Sequence, residues 1–171
     1  MEDWKDVFSA GEPKKSAEPS TTVKGYDIYE VLSALQKSIR RGLERDAVFW
    51  ALELFNSNQD YILWKRLTVV SSEDIGLANN EAAILVNSLR NNYYFMGKGP
   101  SGKRLFLIQA VIYLCRSPKN RLIDNISIKM RTEMEVGYKI DMPEYAIDKH
   151  TKRGKMRGKN FNDFIDEGCK L

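Results

Sequence analysis

The stretch GKGPSGKR, residues 97–104, carries the G-x-x-x-x-G-K spacing of a phosphate-binding loop. In such a loop, backbone N–H groups at a helix start hold the phosphates, and a Ser or Thr after the Lys binds Mg²⁺. Arg104 stands where that hydroxyl should be, and a guanidinium there would repel the metal. The residues before it have the pattern of a helix, whereas a phosphate loop follows a buried strand. The sequence therefore predicts a flexible basic loop between helices, and no cofactor.

A second group of reactive residues lies near the C-terminus, in DKHTKRGKMRGK, residues 148–159. It contains His150, the single histidine of the chain. An imidazole can act as a general base, but no nucleophile or second acid or base accompanies it. A lone histidine also lacks the Cys or acidic partners of a zinc site. We therefore predict neither a catalytic residue nor a metal.

The same segment concentrates the positive charge of the chain. It holds six basic residues and one acid, a net charge of +5, whereas the whole chain carries +4. Basic side chains that neutralise phosphates release counterions, and they therefore bind nucleic acid without sequence specificity. The pattern favours a nucleic-acid-binding surface, with a solvated cationic segment as the alternative. The candidate nucleic-acid-binding residues, with three from the glycine-rich stretch, are Lys98, Lys103, Arg104, Lys149, His150, Lys152, Arg153, Lys155, Arg157 and Lys159.

Five aromatic residues near bases suggest base stacking, because aromatic side chains beside Lys and Arg can hold single strands. Aromatic residues at helical spacing more often belong to a core. Tyr93 and Tyr94 are the better stacking candidates, since they adjoin the basic loop. The five are Trp50, Tyr61, Trp64, Tyr93 and Tyr94.

Helices are the elements that would position these residues. After Asp27, apolar residues recur at i, i+3, i+4, i+7 and i+11, and Gly42 is typical of a residue that ends a helix. Similar patterns predict five more helices, over residues 44–56, from a cap at Asp60 to about 70, over 81–96, over 103–116 and over about 119–135.

For two of these helices the sequence also predicts how they pack. The helix over 103–116 is apolar almost all round, which predicts a central position. In the helix over 119–135, we expect the apolar residues to point inward. These are Leu122, Ile123, Ile126 and Met130.

Strand signals are weak throughout, so we predict an all-α bundle of about six to seven helices with a flexible N-terminal leader. The leader spans residues 1–25, the helical domain 26–136 and a basic helical tail 137–171. A seventh helix is predicted from Pro143 to about residue 155. Within the leader, DWKDVF has the composition of a short amphipathic peptide that docks onto a partner.

The location of the chain follows from what its sequence lacks. Its start is acidic, and the longest nearly apolar run, residues 105–115, is shorter than the ~20 residues of a membrane span. Cys115 and Cys169 have neither disulfide-framework nor zinc-ligand spacing, and we interpret both as reduced thiols. We therefore expect a cytoplasmic protein with no membrane contact.

Three stretches in this order resemble a known family: VLSALQKSIRR with DAVFWALEL, then WKRLTVVSSEDIGLAN, then QAVIYLCRSPKN. They are similar to the helical C-terminal region of the RarA/MgsA family of clamp-loader-like AAA+ ATPases, whose relatives include the Werner-helicase-interacting proteins. The resemblance covers about residues 25–130. It rests chiefly on SSEDIGLAN and the downstream SPKN.

This resemblance implies an assembly role near replication and recombination. Full-length members of the family act at stalled forks, and their helical region forms a tetramer. The family's ATPase module has no counterpart in this sequence, so no enzymatic activity is expected, and a separate AAA+ ATPase subunit is an expected partner. The charged residues of the matching stretches form either a partner-contacting seam or structural ion pairs. They are Lys37, Arg40, Arg66, Glu73 and Asp74.

We therefore predict a non-enzymatic helical oligomerisation module that binds DNA through its basic C-terminal segment. The alternative is a monomeric nucleic-acid-binding protein whose bundle supports the tail.

Overall fold

The computed structural model describes residues 21–97 and 99–169, so the predictions for residues 1–20 and for Lys98 lie outside the described residues. The described residues are mainly helical and contain no strand, only an isolated bridge between Thr21 and Asp27. The all-α prediction is therefore confirmed. The six longer helices are α1 (Ile28–Arg41), α2 (Glu44–Asn56), α3 (Asp60–Val70), α4 (Ala82–Phe95), α5 (Pro100–Arg116) and α6 (Leu122–Glu135).

Packing divides the chain into two compact units. The first extends to Ser127, and the second begins at Ile128. None of the described helices is both long enough and apolar enough to cross a bilayer.

Helix α1 has the boundaries that its sequence predicts. The Asp27 carboxylate caps its start by accepting hydrogen bonds from the N–H groups of Tyr29 and Glu30. At the other end, Gly42 adopts a left-handed conformation, φ 71°, and its N–H donates to the Ile39 carbonyl. At α3, by contrast, Asp60 is the first helical residue, not the cap, and Gln59 at the cap position makes no side-chain capping bond.

Helix α5 occupies the centre of the first unit, as predicted. It contacts each of the helices α1 to α4. Its fully buried residues are Leu107, Ala110, Val111 and Leu114. A helix that packs on several neighbours needs apolar residues on most of its circumference, which explains its sequence.

The glycine-rich stretch does not form a phosphate-binding loop. Helix α4 precedes it, and Pro100 already begins α5, three residues before the predicted start. The Lys103 ammonium lies 4.9 Å from the centroid of the Tyr93 ring, and the Arg104 guanidinium 5.7 Å from that of Phe55. Both cations therefore lie over aromatic rings of the bundle.

Helix α6 differs from its prediction. The four residues expected to face inward, Leu122, Ile123, Ile126 and Met130, are between 41% and 51% exposed. No residue of α6 is buried. The helical period itself was predicted correctly, but the apolar face is not covered within the described chain.

The tail also differs from its prediction, because Pro143 does not start a long helix. A 3-10 turn covers Glu144–Ala146, and a short α-helix, α7, covers Lys152–Met156. Between them, the Asp148 carboxylate accepts from the His150 N–H at 2.9 Å, and the Thr151 hydroxyl accepts from the Gly154 N–H at 2.9 Å. Such local side-chain bonds to the backbone compete with a continuous helix.

The chain then continues into a three-residue helix, α8 (Phe161–Asp163), and a π-helical turn, Phe164–Gly168. The Asn160 side chain caps α8 by accepting from the N–H groups of Asn162 and Asp163.

The two thiols are expected to differ in reactivity. Burial raises the pKa of the Cys115 thiol to about 11, whereas Cys169 is exposed. At pH 8 only about one Cys115 thiol in a thousand is ionised, and the thiolate is the nucleophile. Alkylation of the folded chain should therefore label Cys169 first. Equal rates for the two thiols, measured by mass spectrometry, would contradict the packing described for α5.

Candidate functional site

The motif SSEDIGLAN forms an irregular continuation of α3. A π-helical turn covers Ser71–Ile75, and a 3-10 turn covers Gly76–Ala78. The π turn brings Asp74 fully into the interior, whereas Glu73 keeps 26% of its side chain exposed. Helical π turns are rare in proteins, and those that occur are often at functional sites. This turn is therefore the first candidate for a functional site.

The Asp74 carboxylate is held by side chains from α1. Arg40 Nε donates to one of its oxygens at 2.5 Å, and Gln36 Nε2 donates to the other at 2.9 Å. Glu73 accepts from the same two side chains, from Gln36 at 3.0 Å and from Arg40 at 3.3 Å. Both acids therefore join the π turn to α1.

Two further arginines complete the network. Arg66 of α3 donates to the Gln36 side-chain oxygen at 2.7 Å. Arg121 donates to Glu73 at 3.3 Å, and its Nε lies 3.7 Å from the Asp74 carboxylate. Arg121 also forms an ion pair with Asp124. We call this network the polar seam and define it as Gln36, Arg40, Arg66, Glu73, Asp74 and Arg121.

Four of the five charged residues predicted for the seam are therefore together, and Lys37 is apart. The Lys37 side chain is exposed, and its ammonium contacts none of the described acids. Gln36 and Arg121 are the members that the sequence prediction missed. The i, i+4 spacing of Gln36 and Arg40, which places both on one face of α1, was a signal for Gln36.

The second family motif, SPKN, packs directly against the first. The Asn120 N–H donates to the Asp74 carbonyl at 2.9 Å, and the Asn79 amide donates to Ser117 Oγ at 3.1 Å. Gly76 has φ +50°, and a Cβ on it would lie 2.9 Å from the Asn120 carbonyl oxygen. Only glycine combines that backbone conformation with so close an approach.

Lys119 of SPKN closes the end of α5. Its ammonium donates to the carbonyls of Leu114 at 2.9 Å and Cys115 at 3.0 Å, and also to that of Ser117. These are carbonyls that a helix end leaves without partners. Burial lowers the pKa of Lys119. The two motifs therefore act as one joint between α1, the π turn and the end of α5.

The seam has the properties of a structural joint. Its buried carboxylate has charged and polar partners on both oxygens, so these contacts account for its burial without a bound ligand. Among residues 21–97 and 99–169, no group of three or more His, Cys, Asp or Glu side chains is arranged to hold a metal ion.

The predicted nucleic-acid-binding residues of the tail fall into two groups. Arg157 donates to both Glu144 oxygens, at 3.0 and 2.7 Å, and this bonding lowers the Glu144 pKa, with smaller contributions from Arg153 and Lys159. The Lys149 ammonium lies 4.4 Å from the Phe161 ring centroid. Among the lysines and arginines of the described tail segment 148–159, those that are exposed and form no ion pair are Lys152, Arg153 and Lys155.

His150 is exposed, and its ring makes an edge contact with Phe164 at 5.3 Å. Its backbone N–H is the donor to Asp148. The structure therefore gives the imidazole an aromatic neighbour.

The aromatic candidates divide between core and surface. Trp64 and Tyr93 are 1% and 0% exposed, and burial, followed by the nearby Asp60 charge, raises the pKa of Tyr93. Trp50 is half-buried and meets Tyr26 edge-on at 5.4 Å. Tyr61 and Tyr94 are 74% and 47% exposed. Of the two residues favoured for stacking, only Tyr94 is accessible.

We expect Asp74→Asn to lower the free energy of unfolding by about 2–3 kcal/mol, because the buried carboxylate accepts from Arg40 and Gln36 and the amide NH2 would face one of these donors. Glu44→Gln is the matched control. It makes the same carboxylate-to-amide change in the exposed pair of Glu44 with Arg116, which lie 2.8 Å apart. Thermal and urea unfolding should show a much larger loss for Asp74→Asn. Similar losses in the two variants would mean that the seam does not stabilise the fold.

Comparison with known proteins agrees with the family resemblance of the motifs. A family model for the C-terminal region of MgsA AAA+ ATPases matches residues 44–164. This match begins later than the resemblance over residues 25–130, leaving out residues 25–43, but it continues further and includes most of the tail.

Individual relatives match over their own C-terminal portions. Replication-associated recombination protein A of Bacillus subtilis is 31% identical over 134 residues, which are 78% of this chain and 31% of that protein. ATPase WRNIP1 of Dictyostelium discoideum is 30% identical over 115 residues, 66% of this chain and 13% of that protein. The Escherichia coli K12 replication-associated recombination protein A is 28% identical over 101 residues, 58% of this chain and 22% of that protein.

The chain thus spans less than a third of the length of these relatives. Its two quoted motifs form one joint of the fold, and the family model covers about seven-tenths of its residues. The chain belongs to the family of MgsA AAA+ ATPase C-terminal regions.

Proposed function

We propose that this chain is a non-enzymatic assembly module of replication and recombination AAA+ ATPases, which self-associates through α6 and binds nucleic acid through its tail. Family membership supports the association with such ATPases. The observation that carries self-association is the uncovered apolar face of α6.

That face is a continuous stripe along the helix. Ile123, Ile126, Met130 and Met134 follow each other at i, i+3, i+7 and i+11, which places them on one side of α6. Their exposed fractions lie between 41% and 62%. Apolar stripes of this spacing pack against other helices, because removing them from water is favourable. We call these four residues the α6 stripe.

The charges beside the stripe suit a second copy of the chain. Lys129 lies 3.9 Å from Glu133, and Arg131 lies 3.7 Å from Glu135. Helical geometry places these two pairs on opposite flanks of the stripe. Each pair joins a base to an acid one turn further along the helix, so an antiparallel second copy brings bases beside acids and is not repelled.

Nucleic acid is the proposed ligand of the tail. Lys152, Arg153 and Lys155 are exposed and lie close together on α7. Arg157, which follows α7, instead forms an ion pair with Glu144. Three free cations on a short segment can contact successive phosphates without reading the bases. The other predicted basic residues would add to the positive electrostatic potential around these three cations.

A separate AAA+ ATPase subunit is a further proposed partner, because the matching family model is that of the C-terminal region of an AAA+ ATPase. In this proposal the chain contributes assembly and DNA contact, and the ATPase supplies the chemistry. The second candidate function is a monomeric nucleic-acid-binding protein, which the three free tail cations favour without requiring the α6 stripe.

Ile126→Glu should shift the chain toward the monomer, because it places a charge in the centre of the α6 stripe. Ile128→Glu is the matched control, since Ile128 is 48% exposed against 51% for Ile126 but lies on the other side of the helix. Light scattering coupled to size exclusion would measure both masses. A wild-type monomer at every concentration would refute self-association and leave the monomeric alternative.

Replacing Lys152, Arg153 and Lys155 with Glu should abolish most binding to single-stranded and duplex DNA, because the patch would repel phosphates. The control carries the same charge change at Lys24, Lys37 and Arg45, which are exposed and outside the tail. Binding by the wild type should weaken steeply with salt. If both triple variants bind equally well, the tail is not the nucleic-acid surface.

A further inference from the structure

A groove of about 810 Å³ lies between α3 and α4. Its volume falls within the range of binding sites for small ligands and peptide side chains. It belongs to neither the polar seam nor the α6 stripe. The lining residues that the argument uses are Asn58, Tyr61, Trp64, Lys65, Arg90 and Tyr94.

The groove offers aromatic surface and a free donor. Trp64 lines it, and the buried indole N–H has no hydrogen-bond acceptor among the described residues. Buried polar groups of this kind usually have a partner, so one that lacks it indicates a missing acceptor. Tyr61 and Tyr94 add exposed rings at the rim.

The charge of the groove favours an acidic ligand. Lys65 and Arg90 line it, and neither forms an ion pair with a described carboxylate. Asp60 is the acid that lines it within the described chain, so the net charge of the lining is +1.

The start of the described chain lies beside this groove. The Val23 N–H donates to Ser57 Oγ at 3.0 Å, and the Lys24 N–H donates to Glu53 at 2.9 Å. Ser57 immediately precedes Asn58 of the groove lining. The 20 residues before Thr21 therefore join the bundle next to the groove.

The length and composition of that segment fit the groove. Residues 3–8, DWKDVF, combine two acids with Trp4, Val7 and Phe8. The residues between Phe8 and Thr21 can span up to about 40 Å when extended. A six-residue segment is about 20 Å long when extended, and α3 is about 16 Å long. The segment can thus reach the groove and extend along it.

We propose that residues 3–8 of the same chain occupy the groove between α3 and α4. Trp4 and Phe8 supply the apolar surface that meets Tyr61, Trp64 and Tyr94, and Asp3 and Asp6 complement Lys65 and Arg90. A docked leader also excludes other acidic, aromatic peptides from this site. The proposal is independent of self-association and of DNA binding.

Trypsin cleavage after Lys5 in the full chain tests this proposal, because proteolysis follows the open fraction of a docked segment. Lys65→Glu with Arg90→Glu should accelerate cleavage at this bond at least about fivefold. The paired control, Lys37→Glu with Arg45→Glu, makes the same charge change away from the groove and should leave the rate unchanged. Circular dichroism would verify that all variants keep their helices.

Phe8→Ala tests the apolar half of the contact from the leader's side and should also accelerate cleavage after Lys5. Equal cleavage rates in the wild type, the groove variant and Phe8→Ala would overturn the proposal. Protection that disappears on dilution would overturn it too, since the occupant would then be the leader of a second copy. Protection that persists on dilution and is lost in both variants is the expected result.

Discussion

The fold of the first unit depends on the burial of one carboxylate, that of Asp74. Burying a charge is costly unless hydrogen bonds and opposite charge replace the lost water. Arg40 and Gln36 provide these on α1, and Arg121, the residue immediately before α6, provides further charge. The π turn, the left-handed Gly76 and the bond from Asn120 to the Asp74 carbonyl all serve to place that carboxylate. The motifs that identify the family are therefore mainly the parts of this joint.

The joint around Asp74 is distinct from the surfaces of the chain that remain open to partners. The acids of the polar seam have their partners within one chain, whereas the α6 stripe, the tail cations and the groove between α3 and α4 are left exposed. Because its two acids have partners within the chain, the seam does not need a second chain to neutralise them.

Sequence reasoning was most successful where local rules decide the outcome. The boundaries of α1 follow from Asp27 and Gly42, whose capping roles depend on their own chemistry. It failed at α6 because an apolar period predicts a buried face but does not say whether the same chain covers it. At the seam, the prediction chose Lys37 instead of its neighbour Gln36. Consecutive helix residues differ by a rotation of about 100°, so Lys37 is exposed whereas Gln36 is buried. Arg121 could not be predicted, because its contact with Glu73 joins residues 48 positions apart.

Hydrogen exchange of the amides of α6, measured at high and low protein concentration, tests the central claim that this helix is the assembly surface. The account predicts that exchange in α6 slows as concentration rises, while exchange in α1 around the polar seam stays constant. Exchange in α6 that does not depend on concentration would contradict it.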